Sequence, residues 1–185
     1  MSATSSGSDS VYSKNTLEFV AVAKSYCDFL EHPDQLERNR LIDVMVHLLP
    51  LLYLKGSLLP ETTLLGEGEE EAFATEMQYS LLVEAIAELL GADDAYLDVF
   101  HPDITLADGP VAASVSESLA DIWQELYNFT GVFRLGYDET MNDALYFCRE
   151  RFGTGWGQSL LTVLRALHAL KFGDTDTMIS EEDFF

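Results

Sequence analysis

Eleven of the fourteen residues from Leu41 to Leu54 are apolar, and only Asp43, His47 and Pro50 interrupt them. Leu41, Ile42, Val44, Met45, Val46, Leu48, Leu49, Leu51, Leu52, Tyr53 and Leu54 leave no polar stripe at helical spacing. A helix that is apolar on every side is expected in the middle of a bundle. Pro50 is expected to kink it, because the ring removes one ladder hydrogen bond and crowds the preceding turn. The run is also far shorter than the roughly 18 to 20 residues that span a bilayer. The chain is therefore expected to be all-α: a single-domain bundle of about six helices around this central second helix.

The other segments fit that frame. An amphipathic stretch from about Asn15 to Glu31 places Leu17, Val20, Ala23, Cys27 and Leu30 on one face, with Asn15 as its cap and Pro33 ending it. The second segment covers about Asp34 to Leu58. Thr75 with Gln78 forms a capping-box pattern opening a helix to Leu90, closed by Gly91, with Met77, Leu81, Ala85 and Leu89 inward. Pro110 fits the first turn of a fourth helix, which carries Val115, Leu119, Ile122, Leu126, Phe129 and Phe133 inward and stops before Gly136. Asp138 heads a fifth with Met141, Leu145, Cys148 and Phe152 inward. Gly153, Gly155 and Gly157 should break the chain before a sixth helix from Gln158 to Phe172, since each glycine costs a helix about 1 kcal/mol relative to alanine. No segment reads as a strand. Residues 1–13 and 173–185 read as flexible tails, one Ser-rich and one acidic, flanking a bundle domain over 14–172.

Charge is distributed unevenly. The chain has 32 acidic and 10 basic residues, and no lysine or arginine lies between Lys55 and Arg134, a gap that holds sixteen Asp and Glu. Such a segment repels itself unless cations come from elsewhere. A pI near 4.2 argues against nucleic acid and against anionic membrane, whose phosphates would be repelled. The N-terminal residues lack the basic and apolar regions of a secretory signal. Cys27 and Cys148 are far apart within helical patterns and read as reduced core thiols of a cytoplasmic protein.

No motif fixes a reaction. The GxGxG at 153–157 lacks dinucleotide-fingerprint spacing and context, and no Walker loop, nucleophile elbow or HExxH occurs. Di-iron bundles need Glu-x-x-His, and none of His32, His47, His101 or His168 has an acid three residues earlier. Glu117, Asp121 and Glu125 recur every fourth residue and line one helix face, where like charges cost about 0.2–0.5 kcal/mol per pair. They form a candidate site for a divalent cation, the one cofactor this reading allows. His47 follows Asp43 within the apolar helix and is expected to be a satisfied core histidine. His101, with Asp98 and Asp103, reads as turn chemistry. His168 and Arg165 fall on what periodicity assigns as the inward stripe of the sixth helix. Buried, they would need acceptors, for which Asp121 and Asp143 are available. Asp121, Trp156, Arg165 and His168 are therefore the candidate ligand-binding residues.

The strings LLPLLYLKGSLLP, SESLADIWQEL, MNDALYFC and WGQSLLTVLRALH, in that order, resemble bacterial proteins grouped as domain of unknown function 5063, over roughly residues 15–172. The resemblance implies a small helical protein, bacterial and cytoplasmic. It implies no activity and carries over no functional residue.

Two functional expectations follow. The first is a non-enzymatic interaction or regulatory module whose acidic surface meets a protein with a basic surface. The second is a metal-assisted hydrolase or small-ligand binder using the helical carboxylates.

Overall fold

A computed structural model describes residues 7–66, 71–98 and 111–173. The chain forms α1 (Gly7–Val11), α2 (Lys14–Leu30), a 3-10 turn (Pro33–Gln35), α3 (Arg38–Ser57), α4 (Glu76–Leu90), β1 (Ala95–Asp98), β2 (Val111–Ser114), α5 (Val115–Leu135), α6 (Asp138–Thr154) and α7 (Trp156–Phe172). The all-α expectation holds, with one small antiparallel hairpin added, β1 pairing β2 from Ala95 opposite Ser114 to Asp98 opposite Val111. Strands of four residues are too short for a period-2 signal. Three sequence readings lie outside the described residues, wholly or in part: the tail over 1–6, the loop with His101, Asp103 and Pro110, and the acidic tail over 174–185.

Local chemistry sets most helix boundaries. Ser13, rather than Asn15, caps α2 by accepting the Thr16 N–H at 3.3 Å. The Thr16 hydroxyl donates to the Ser10 carbonyl at 2.7 Å, stitching α1 to α2. Val11 of α1 is fully buried, so residues 7–11, read as tail from the sequence, join the core. The Thr75–Gln78 capping box forms as expected. Ser114 caps α5, and Gly136 ends it with φ +75°, a left-handed conformation natural to glycine. Gly155 separates α6 from α7, the break expected from the glycine run.

The central position goes to α5, not α3. Val115, Leu119, Ile122, Leu126 and Phe129 of α5 are buried, and α2, α4, α6 and α7 all pack on it. α3 packs mainly on α7 and α2, with a smaller contact to α6, and its Arg38 donates to the Leu90 carbonyl at the end of α4. Its inner stripe, Leu41, Met45, Leu49 and Leu52, is fully buried, while Leu51 and Leu54 on the far side are 41% and 52% exposed. The sequence of α3 is apolar all round because it carries one core stripe and one outward stripe, and among the described residues no helix covers the second. Pro50 lies on the exposed side, and α3 runs through it without interruption. An aromatic cluster closes the bundle between α2, α5 and α7: Phe19 meets Phe129 edge-on at 5.2 Å, and Trp156 lies 6.1 Å from Phe19. Both cysteines are buried free thiols, and burial pushes Cys27 up to about 12.

Candidate functional site

The carboxylates that periodicity grouped on α5 each meet a different protein partner. Glu117 accepts the hydroxyl of Ser114 at 3.0 Å, at the helix's own N-terminus. Asp121 accepts the Tyr79 hydroxyl of α4 at 2.8 Å. Glu125 pairs with the Arg151 Nε of α6 at 2.8 Å. The three share a face of α5 but diverge toward its own cap, α4 and α6. Among the described residues, no group of three His, Cys, Asp or Glu is placed to hold a metal ion.

Asp121 and Tyr79 form the most perturbed pair. Partial burial against α4 raises the Asp121 carboxyl from its ordinary value; the Tyr79 hydrogen bond opposes this, and the Glu117 charge adds to it. Tyr79 is also raised, first by burial and then by its bond to Asp121. An acid raised in the folded state destabilises the fold above its ordinary pKa, and that penalty fades as pH falls through the raised value. Asp121→Asn, which still accepts from Tyr79, should therefore raise the melting midpoint at pH 7. The gain should be modest, below about 1 kcal/mol for so exposed a group, and should shrink toward zero as pH is lowered through the carboxylate range. A gain that grows on acidification would contradict this account.

The four candidate ligand residues do not converge. Trp156 is buried in the core, and its indole N–H donates to the Cys148 carbonyl at 3.1 Å. Asp121 lies on the α4 side of α5. Arg165 and His168 are exposed on the outer face of α7. The buried stripe of that helix is Trp156, Leu160, Val163 and Leu167, one residue away from the stripe 161–164–168 assigned by sequence. His168 lies with its ring 4.8 Å from that of Phe172. His47, expected in the core, is also exposed, and its Nδ1 donates to the Asp43 carbonyl at 2.6 Å.

Arg165 nevertheless lines a groove of about 650 Å³ between α3, α6, α7 and β1, walled by Tyr53, Tyr96, Phe152, Gln158 and Leu161. A shallower lobe of about 360 Å³, with His47, Pro50, His168 and Phe172, shares Leu161 and Arg165 with it. No catalytic pattern in the sequence marks this groove.

The base-free segment borrows its cations from outside. Arg149 meets Glu61 at 2.8 Å, Arg38 meets Asp93 at 2.7 Å and Arg151 meets Glu125. Within α4, the buried stripe is Leu82, Ile86 and Leu90, so Met77 and Leu81, expected inward, face outward at 73% and 52% exposure. Glu84 and Glu88 lie on the same outward line at helical spacing and are exposed.

Two polar residues without a local sequence signal organise the long connection before α4. Asp143 of α6 accepts the backbone N–H groups of Leu65 and Gly66, each at 2.8 Å. Asn128 of α5 accepts those of Phe73 and Ala74 at 2.7 and 2.8 Å. Asp143 is thus an anchor for backbone, not an acceptor for Arg165 or His168.

Residues 10–173 match the family model described as Domain of unknown function (DUF5063). The chain belongs to this family. The family segment begins within α1, in keeping with the buried Val11, and ends at Gly173, just past α7. The crystal structure of protein BF1032 from Bacteroides fragilis is 39% identical, with a TM-score of 0.79 over 90% of this chain and 98% of that one. No curated protein matches the chain. Among the described residues, no helix is long and apolar enough to cross a membrane.

Proposed function

We propose that this member of the DUF5063 family is a non-enzymatic interaction module, acting in a bacterial cytoplasm, that receives a basic amphipathic segment of a partner protein on the outer face of α4. One observation carries the reading: Met77 and Leu81 project outward on the same line as Glu84 and Glu88, in a stretch of chain with no lysine or arginine. A core-packed helix gains nothing from Met77 and Leu81 in water, whereas an apolar strip edged by acids complements a helix with an apolar face and basic flanks. Charge would speed encounter and give a strong salt dependence, and the apolar pair would supply contact. The engagement of Glu117, Asp121 and Glu125 with protein groups supports a structural role for them over a metal-dependent one.

A synthetic Leu/Lys amphipathic helical peptide tests the proposal. It should bind the full chain, more weakly at high ionic strength. The double variant Met77→Ser, Leu81→Ser, with unchanged net charge, should lose about tenfold or more in affinity. Equal binding by the variant would reduce the effect to unspecific charge attraction and end this reading.

A further inference from the structure

The aromatic groove beside α7 carries an inference independent of the α4 surface. Its floor and walls are built features. Tyr53 of α3 and Phe152 of α6 pack with ring centroids 5.2 Å apart. Tyr96 of β1 is held over α7 by its hydroxyl, 2.9 Å from the Ser118 hydroxyl and 3.4 Å from that of Thr162. Gly153 opens onto space, and Gly157 lies so close to Phe152 that a Cβ there would meet the Phe152 carbonyl and ring. The glycine run at 153–157 thus seats α7 tightly on Phe152, and the groove runs along α7 over Gln158, Leu161 and Arg165, residues that recur on one helix face.

A concave site of this size, mostly aromatic and aliphatic with a few polar groups, has the dimensions and chemistry of a small-molecule pocket. Arg165 fixes the class of molecule. In a chain with 32 acids for 10 bases, carboxylates are abundant, and seven of the basic side chains pair with one: Lys14, Lys24, Arg38, Lys55, Arg149, Arg151 and Lys171. Among the described residues Arg165 forms no ion pair, and it stands where the deep aromatic lobe meets the shallow one. Asp43, one turn before His47 of the shallow lobe, is engaged by Lys171 at 3.1 Å. A guanidinium left open beside aromatic walls offers a planar fork for an oxyanion and a stacking surface for a flat apolar body. Repulsion from the protein's distant acids is screened beyond about 10 Å at 0.1 M salt, so the local guanidinium decides.

We propose that this groove is a binding site for a small organic anion with a flat apolar body, its carboxylate or phosphate on Arg165 and its body between Tyr53, Phe152 and Tyr96.

Three probes share one ring system: 2-naphthoate, 2-naphthyl phosphate and the neutral 2-naphthalenemethanol, with affinities measured by calorimetry or ligand-detected NMR on the full chain. At least one anion should bind about tenfold or more tighter than the alcohol, the scale of one charge-assisted hydrogen-bonded contact. The tighter anion identifies the head group. Arg165→Gln should bring the anion's affinity down to about that of the alcohol measured on the same variant, and Arg165→Lys should keep part of the advantage. Leu161→Glu, on an exposed position, should weaken all three probes. The Met77→Ser, Leu81→Ser variant should bind them as the unaltered chain does, which separates this site from the α4 surface. Binding of none of the probes, equal affinity for anions and alcohol, or indifference to Arg165→Gln would overturn the assignment.

Discussion

Trp156→Ala will lower stability by about 3–5 kcal/mol, the range for a large aromatic removed from a packed core. For a chain of this length that corresponds to a fall in melting midpoint of very roughly 6–20 °C. Four contacts are lost together. The indole lies edge-on to Phe152 at 4.8 Å and tilted to Phe19 at 6.1 Å. It also abuts Gly56 of α3 so closely that a Cβ there would sit 3.0 Å from the ring. Its N–H satisfies the Cys148 carbonyl near the end of α6. Alanine would leave a cavity where α2, α3, α6 and α7 meet. Trp156→Phe retains most of the apolar surface and loses the donor, so its cost should be about 1–2 kcal/mol. Urea or thermal denaturation of both variants measures the difference. Were Trp156 lining an open pocket, as expected of a candidate ligand-binding residue, alanine would cost under about 1 kcal/mol and the two variants would be alike.

The difference between those two roles shows what the sequence carries and what it lacks. Signals that depend on a few neighbouring residues were readable: the Thr75–Gln78 box, the Gly136 stop, the break at Gly155 and the inward stripes of α5 and α6. Those two stripes were unambiguous because each helix has a single apolar face bounded by charge. α4 and α7 each carry two adjacent apolar stripes, and α3 carries apolar residues on every side. Only packing decides which stripe is spent on the core, and in both α4 and α7 the choice fell one residue beside the expected line. The consequences reach the candidate sites. The shift in α4 turns Met77 and Leu81 outward. The shift in α7 removes Arg165 and His168 from a buried polar cluster and sets Arg165 in a surface groove. The α5 carboxylates were correctly placed on one helix face, but their partners come from elements distant in sequence, which spacing does not encode. The same holds for the anchors Asp143 and Asn128, single polar residues in helices whose partners are backbone amides more than fifty residues away.

Asp143→Ala is expected to cost about 1–3 kcal/mol, because it strands two part-buried backbone donors instead of removing a surface charge. The carboxylate is only 7% exposed and accepts the Leu65 N–H on one oxygen and the Gly66 N–H on the other. Asn142 beside it donates both to the Thr63 carbonyl at 2.8 Å and to the same carboxylate at 3.1 Å, so the clip holds the chain across α6. Asp143→Asn keeps the shape but turns an amide donor toward one of the two N–H groups, and should cost about 1–3 kcal/mol. Gly66 is part of the same arrangement, since a Cβ there would lie 2.9 Å from Asp143 Oδ2 and 3.1 Å from Glu139 Oε1. Gly66→Ala should therefore destabilise the unaltered chain more than it does in the Asp143→Ala background. A double-mutant cycle should return a coupling above about 0.5 kcal/mol. Hydrogen exchange at Leu65 and Gly66 should accelerate in Asp143→Ala, while the amides of Phe73 and Ala74, held by Asn128, stay protected. Additive effects, or an alanine variant within about 0.5 kcal/mol of the parent, would show that this clip contributes little. If the coupling is present, two separate clips, one on α6 and one on α5, hold the chain on either side of the acid-rich run that follows Gly66.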